Sequence, residues 1–375
     1  MSQVTRKIRV AVVFGGRSSE HSISCVTAGA VMAAIDRDRY EVVPIGIARD
    51  GRWVLAPADR RLAIEDGRLP EVSGDGDALA LPFDPDASGL LVVTPGEVPA
   101  ALGAVDVVLP LLHGPYGEDG TIQGMLDLAG VRYVGAGVLA SAVGMDKGFM
   151  KLVWQARGLP VGPYVLIGDR EWRHERKRKI DEIKEQLGLA AGRPVFVKPA
   201  RAGSSMGITR VTAESGLEAA IDAAREHDPK VIVEAGIEGR EIECGVLQGL
   251  DDGPPEASLP AEVLMAGDHD FYDFETKYLD GSTSMAIPPD LPPAAIEEVR
   301  RVAVQAFEAL DCEGLARVDF FLTPDGDWIL NEINTMPGFT PTSAFPQMWA
   351  ATGLDYAALV DRLIQTALRR STGLR

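Results

Sequence analysis

Residues 314–340 read GLARVDFFLTPDGDWILNEINTMPGFT, and this stretch constrains the fold most. Two apolar runs rich in strand-forming residues flank TPDG, a turn signal. The pattern predicts an antiparallel hairpin with Pro324–Asp327 as its loop, so that Thr323 faces Trp328. Asp319 then lies opposite Glu332, and Arg317 opposite Asn334. Side chains two apart share a face of a strand, so all four line one surface. Two acids directly opposite would destabilise a sheet. A divalent cation between them removes that cost, and an Asp, Glu and Asn oxygen set suits Mg²⁺ completed by water and phosphate. The alternative, a solvated hairpin face, has to accept the like-charge contact. The Pro-Gly turn that follows is either an ordinary turn or one whose Gly338 amide, a donor that Pro337 lacks, serves a developing oxyanion.

The chain begins differently. IRVAVVF, a helical pattern with Ile23, Val26, Ala30 and Ala34 on one face, and YEVVPIGIA form a β-α-β start, hence a parallel sheet. VDVVLPLLHG, the helix TIQGMLDLAG and VRYVGA continue it. Residues 56–100, rich in Gly, Pro and Asp, predict loops and short edge structure. A helix is expected at 145–157 with Met145, Phe149, Leu152, Val153 and Ala156 on its apolar face. The charged segment 168–188 predicts a solvated helix of mixed sign. Residues 294–310 and 354–370 predict amphipathic helices.

The first turn, GGRSSEHS, lacks the G-x-G-x-x-G spacing and carries Glu20 where the last glycine would fall. An acid there suits the helix dipole but repels a pyrophosphate. Glu20 either caps the next helix or receives a cationic ligand such as an amino group. LLHGPYGEDGTIQG sets His113 in a glycine-rich loop at the carboxyl end of a strand, where ligands bind in such sheets. In RPVFVKPARAGSSMGITRV, Lys198 ends an apolar strand beside Gly203–Gly207. A point charge next to closely approachable amides resembles a phosphate grip, although no P-loop spacing is present.

The net charge of −18 over 375 residues argues against nucleic acid and anionic membranes as partners. Cys25, Cys244 and Cys312 show no metal spacing and read as free thiols in a reducing cytoplasm. No stretch reads as a signal peptide or a membrane-spanning helix.

Six segments, VFGGRSSEHSIS, LLHGPYGEDGTIQGMLDLAGVRYVGAGVLASAVGMDK, VFVKPARAGSSMGI, EGREIECGVL, FYDFETKY and RVDFFLTPDGDWILNEINTMPGFTPTSAFP, occur in this order. Together they resemble the D-alanine–D-alanine ligase family of the ATP-grasp superfamily over nearly the whole chain. The resemblance implies an α/β ATP-grasp fold: a Rossmann-like N-terminal lobe at 1–137, a central lobe at 138–233 and a C-terminal catalytic lobe at 234–375, with ATP clamped between the last two. It implies ATP-dependent joining of two D-alanines through a D-alanyl phosphate, for cell-wall precursor synthesis in the cytoplasm, by a homodimer.

By the same resemblance, Lys147 and Lys198 hold ATP phosphates, Ser205 joins the ATP site, Glu234 meets the adenine amino group and Glu241 the ribose. Asp319, Glu332 and Asn334 would hold two Mg²⁺ ions, which Mn²⁺ can replace. Glu20 would anchor the first ammonium, with His113 nearby, and Arg317 and Gly338 would stabilise the tetrahedral intermediate. Ser343 would bind the second carboxylate, Ser204 would link Glu20 to Tyr278 on a closing loop, and Lys277 would sit beside the second substrate. Ala202 and Ala235 stand where some relatives carry an acid and a lysine. Another ATP-grasp carboxylate–amine ligase, a depsipeptide-forming relative, and a nucleotide-binding module without turnover are the alternatives.

Overall fold

A chain that begins strand–helix–strand with buried apolar strands must cover a parallel sheet on both faces. The computed structural model describes residues 6–57, 62–64, 68–80, 90–94, 100–203, 206–251, 253–265 and 283–372. Its first sheet contains β1 (Ile8–Gly15), β2 (Tyr40–Ile47), β3 (Trp53–Leu55), β4 (Ala78–Ala80), β5 (Leu90–Val93), β6 (Ala100–Gly103) and β7 (Val107–Pro110), with α1 (His21–Ala34) after β1. The strand order is β6-β5-β4-β3-β2-β1-β7. β1 lies between parallel β2 and β7, while β3 to β6 extend the sheet antiparallel from β2. The glycine- and proline-rich region thus supplies the short strands of one edge. VRYVGA contributes only a single bridge, Tyr133 to Val108.

The α1 residues facing the core are Cys25, Ala28 and Val31, a different stripe from the predicted one. Ile23 and Val26 instead line a cavity. The second sheet follows α2 (Thr121–Leu128), α3 (Val138–Met145) and α4 (Lys147–Ala156). It comprises β8 (Tyr164–Ile167), β9 (Val195–Pro199), β10 (Thr209–Val211) and β11 (Val231–Ala235), antiparallel in the order β10-β9-β11-β8. The charged segment breaks at Glu175 into α5 (Asp169–His174) and α6 (Arg176–Gln186). α6 and α7 (Glu214–Arg225) bury Ile183, Leu217 and Ile221 against Val195, Val197 and Val233.

The expected apolar face of α4 is corrected. Asp146 caps the helix through the amides of Gly148 and Phe149, which fixes its rotation. Met150, Lys151 and Trp154 face inward, while Phe149 and Leu152 are exposed. The ammonium of Lys230 lies 4.2 Å from the Phe149 ring centre, so a cation–π contact covers part of that side chain.

The third sheet has β12 (Arg240–Leu247), β13 (Glu256–Ala257), β14 (Ala261–Met265), β15 (Thr283–Ala286), β16 (Leu315–Leu322) and β17 (Trp328–Asn334). Its order is β15-β14-β12-β16-β17, with β13 on β12. α8 (Pro293–Ala309) packs Val299, Ala303 and Phe307 against Val318, Phe320 and Leu330. Each of the larger buried side chains stabilises by about 2 kcal/mol. Strand alternation therefore turns Arg317, Asp319 and Phe321 to the opposite face. α9 (Ala344–Thr352) and α10 (Tyr356–Arg369) return to the first sheet, where Phe345, Leu359, Leu363 and Ile364 join Val10, Val12 and Phe14 in one core.

Arg317 pairs with Asn334 and Asp319 with Glu332, as expected. The tip of the hairpin differs. Leu322, not Thr323, faces Trp328, because the loop runs from Thr323 to Asp327 and closes through the Thr323 amide on the Asp327 carbonyl at 3.0 Å. A β-bulge beyond Asp319 shifts the register. Asn331 is the extra residue, since Phe320 faces Leu330 while Asp319 faces Glu332. The bulge restores the acid pair that the tip alone would have displaced.

Candidate active site

The C-terminal ends of β1 and β7 bring two loops together. Glu20 begins α1, yet its side chain makes no cap hydrogen bond. Helix capping therefore does not account for this carboxylate, which is buried. Gly114 has φ +73°, and a Cβ there would lie 2.9 Å from Glu20 Oε2, so only glycine lets this loop approach. Ser18 Oγ donates to the His113 carbonyl at 2.8 Å and accepts from the Glu20 amide at 3.2 Å. Burial lowers the His113 pKa while Glu20 pulls it back up, with a net lowering. The neutral ring uses Nδ1 to donate to the Met336 carbonyl at 3.0 Å. Its Nε2 is a buried acceptor with no hydrogen-bond partner among the described residues.

Glu118, absent from the expected site residues, ties this loop to the hairpin. Its Oε2 accepts from the Gly114 amide at 2.6 Å and its Oε1 from the Met336 amide at 3.3 Å. What surface it retains opens onto the cavity. Burial there, with Glu20 nearby, pushes its carboxyl from 4.5 up to about 8. The folded state then keeps a proton that the unfolded chain loses above pH 4.5, so stability falls as pH rises through this window. Glu118→Gln removes that slope: its urea midpoint should match the wild type near pH 5 and exceed it at pH 8. A difference that stays constant across pH would show that Glu118 does not titrate there.

A cavity of about 260 Å³ lies between the second and third sheets, lined by Lys147, Lys151, Lys198, Glu234, Glu241 and Glu332 among others. Lys147 is the first residue of α4, and Lys151 follows one turn later on the same face. Lys198 and Glu234 come from neighbouring strands β9 and β11. Lys198 Nζ is 2.6 Å from Glu234 Oε2, and Lys151 Nζ is 2.8 Å from Oε1. Burial favours a protonated Glu234, but the two lysines prevail and hold its carboxyl well below the usual range. Burial likewise disfavours charge on Lys198, and Glu234 reverses this, raising its pKa. Both groups stay ionised. Lys147 Nζ donates to the Ala202 carbonyl at 2.9 Å and sits 3.6 Å from Glu332.

A second cavity of about 340 Å³ contains Glu20, Glu118, Arg317, Asn334, Gly338 and Ser343. Lys147, Ala202, Gly203, Glu243 and Glu332 line both cavities, so the two adjoin. Glu243 and Glu332, which line both, belong with Asp319 to a row of carboxylates across three strands. Glu243 pairs with Asp319 in register, and Asp319 with Glu332. Arg317 relieves the repulsion with a fork onto Asp319, Nε and NH2 each donating at 2.7 Å, and its Nε is 3.4 Å from Glu243. Burial opposes its charge, but Asp319 and then Glu243 outweigh this and hold the guanidinium well above its ordinary pKa. Arg317 and Lys147 thus offset part of the like-charge contact.

The oxygen set still fits a hard cation. Asp319 and Glu332 are opposed, and Asn334 lies two residues on, with Oδ1 accepting from the Met336 amide at 3.1 Å. Among the described residues no group of three or more His, Cys, Asp or Glu side chains is arranged to hold an ion alone. Such a partial shell is the kind that Mg²⁺ completes with phosphate oxygens and water.

Two family descriptions match the chain, "D-ala D-ala ligase N-terminus" over residues 9–136 and "D-ala D-ala ligase C-terminus" over 153–365. The chain belongs to the D-alanine–D-alanine ligase family. Among relatives named D-alanine–D-alanine ligase, one from Streptomyces avermitilis is 60% identical over 382 residues, covering 100% of this chain and 97% of that protein. Another from an Arthrobacter species is 58% identical, covering 98% and 96%. Solved structures of the family's fold include a VanG D-Ala:D-Ser ligase from Enterococcus faecalis, with TM-score 0.81, 34% identity, and coverage of 96% of this chain and 100% of that one. The D-alanine–D-alanine ligase from Coxiella burnetii gives TM-score 0.78 and 33% identity, covering 96% and 94%.

In this D-alanine–D-alanine ligase family member, Lys147, Lys198, Glu234 and Glu241 gather in the first cavity, and Glu20, Arg317, Asn334, Gly338 and Ser343 in the second. Glu332 lines both, Asp319 lines the first, and His113 stands behind Glu20's loop. Ser204, Ser205, Lys277 and Tyr278 lie outside the described residues. Ser343 Oγ is 2.8 Å from Thr340 Oγ1 and accepts from the Thr340 amide at 3.1 Å, just before α9. Lys151, Glu243 and Glu118 are site residues that the sequence reading missed. Lys151 was signalled by its four-residue spacing from Lys147, and Glu243 by its two-residue spacing from Glu241. Among the described residues no helix is long and apolar enough to cross a membrane.

Proposed function

We propose that the protein joins two D-alanines at the expense of ATP, releasing ADP and phosphate, for peptidoglycan precursor synthesis. The observation that carries this reading is the pair of adjoining cavities, one lined by Lys147, Lys151 and Lys198 and one holding Glu20 and Arg317, separated by a shared wall at Lys147 and Glu332. ATP occupies the first cavity with its phosphates toward Lys147 and Lys198. The first D-alanine occupies the second, with its ammonium on Glu20 and the bare Nε2 of His113 beside it. Its carboxylate then points at the shared wall, in line with the γ-phosphate. Holding the two in one site removes most of the entropic barrier to their encounter.

A carboxylate oxygen attacks the γ-phosphorus, ADP leaves, and an acyl phosphate forms. The amine of the second D-alanine, its carboxylate at Ser343, attacks the acyl carbon. Arg317 and the Gly338 amide stabilise the oxyanion, and phosphate departs with the peptide bond made. Asp319, Glu332 and Asn334 would hold Mg²⁺, or Mn²⁺ in its place. When bound, this cation spreads the charge of the phosphates during transfer. Arg317 has to release Asp319 for both roles, and Glu243 is the acid placed to receive it. By the family resemblance, Ser204, Tyr278 and Lys277, which lie outside the described residues, would complete the site, Lys277 disfavouring the ammonium form of the second substrate. The lobes divide at 137/138 and 233/234, and the enzyme works in the cytoplasm as a homodimer.

The test is release of ADP and phosphate on adding D-alanine to enzyme, ATP and Mg²⁺. One dipeptide per ADP supports the reading. No release with D-alanine alone refutes it, and release only with added D-serine or D-lactate would assign a different second substrate.

A further inference from the structure

Lys151 is anchored more firmly than the other cations of the nucleotide cavity. It is 3% exposed, and its Nζ holds Glu234 Oε1 at 2.8 Å and the Asn331 carbonyl at 3.0 Å. Asn331 is the bulge residue of β17, so its carbonyl is free of the regular ladder and turns to Lys151. Lys198, by contrast, lies near the end of its strand beside the glycine-rich loop, and among the described residues it holds the other oxygen of Glu234, at 2.6 Å. Two buried ammonium groups thus share one carboxylate. The cluster of Lys151, Lys198 and Glu234 carries one positive charge in excess at the wall of this cavity.

We infer that Lys151 is a positioning residue that keeps Glu234 paired while Lys198 moves from Glu234 to the phosphates of the nucleotide. The inference rests on the ligase reading. In the structure Lys198 is held on Glu234. An entering triphosphate competes for that ammonium. Without Lys151 the exchange would leave a buried carboxylate with no cation, which is costly. With Lys151 in place, Glu234 keeps a full ion pair and the bulge carbonyl holds the second lysine still. Lys151 therefore acts on nucleotide affinity through Glu234, without touching the nucleotide.

Isothermal titration with a non-hydrolysable ATP analogue and Mg²⁺ tests this on five proteins: wild type, Lys151→Met, Lys151→Arg, Glu234→Gln and the Lys151→Met/Glu234→Gln double variant. Lys151→Met should raise the dissociation constant about tenfold or more. Lys151→Arg retains the cation and should stay within about threefold. In the Glu234→Gln background, adding Lys151→Met should change affinity by less than about twofold, because no carboxylate is left to strand. An equal loss in both backgrounds, or no loss in either, overturns the inference. Should Lys151→Met alone fail to fold, the pair Glu234→Gln and double variant decides: near-equality supports the inference, and a tenfold gap overturns it. A wild type that binds no nucleotide would refute the ligase reading itself, whereas a binding wild type with additive losses refutes only the role of Lys151.

Discussion

Glu332→Gln should fold normally and lose turnover by about two to three orders of magnitude, the scale on which several kcal/mol of charge stabilisation acts. Glu332 sits opposite Asp319 and 3.6 Å from Lys147, at the wall between the two cavities. Its removal takes away one of two carboxylates available to a cation. It also relieves a like-charge pair on the sheet, while Lys147 loses a partly exposed partner that contributes little. Stability should therefore change by no more than about 1 kcal/mol. The check is a Mg²⁺ titration of nucleotide binding and of turnover, beside a urea melt. A folded variant with an unchanged Mg²⁺ midpoint would remove Glu332 from the cation site.

Arg317→Lys should lower kcat by about a hundredfold or more, the usual consequence of losing an oxyanion donor, while the KM for ATP moves only a few-fold. Arg317 lies in the amino-acid cavity and grips Asp319 through two nitrogens at 2.7 Å. Lysine keeps the charge but cannot reproduce that planar fork. The acid row of Glu243, Asp319 and Glu332 would then be less well compensated, at a cost of about 1–3 kcal/mol of stability. Steady-state kinetics with ATP and D-alanine varied separately, together with denaturant melts, measure both effects. A variant whose sole defect is a raised ATP KM would reassign Arg317 to nucleotide binding.

The hairpin shows how much of the site was legible in the sequence, and why. Strand alternation put Arg317, Asp319, Glu332 and Asn334 on one face, and the structure agrees. The tip pairing was misjudged by one residue, and the bulge at Asn331 compensated, so the acid pair stood where expected for a reason that alternation does not contain. Bulges answer to local backbone needs, here a carbonyl offered to Lys151, and leave no periodic signature. Helix faces were read less well. Phe149 and Leu152 suggested an apolar stripe on α4, but the Asp146 cap and the nucleotide cavity turn Lys151 inward instead. On α1, Ile23 and Val26 line the second cavity rather than the core. Apolar residues at a binding site and apolar residues in a core look alike in sequence. Charged residues that enter a site as partners of other charges are harder to read: spacing hinted at Lys151 and Glu243, but their roles, like that of Glu118, depend on neighbours distant in sequence.

The most direct measurement follows an oxygen atom. If the first D-alanine's carboxylate takes the γ-phosphoryl group at the shared wall, one of its oxygens becomes the bridge of the acyl phosphate and leaves with phosphate. D-alanine labelled with ¹⁸O in its carboxylate, turned over with unlabelled ATP in unlabelled water, should yield inorganic phosphate carrying one ¹⁸O atom for each dipeptide formed, read by mass spectrometry. Phosphate without ¹⁸O, released as dipeptide accumulates, would show that no carboxylate oxygen passes to phosphorus and would contradict the two-cavity account.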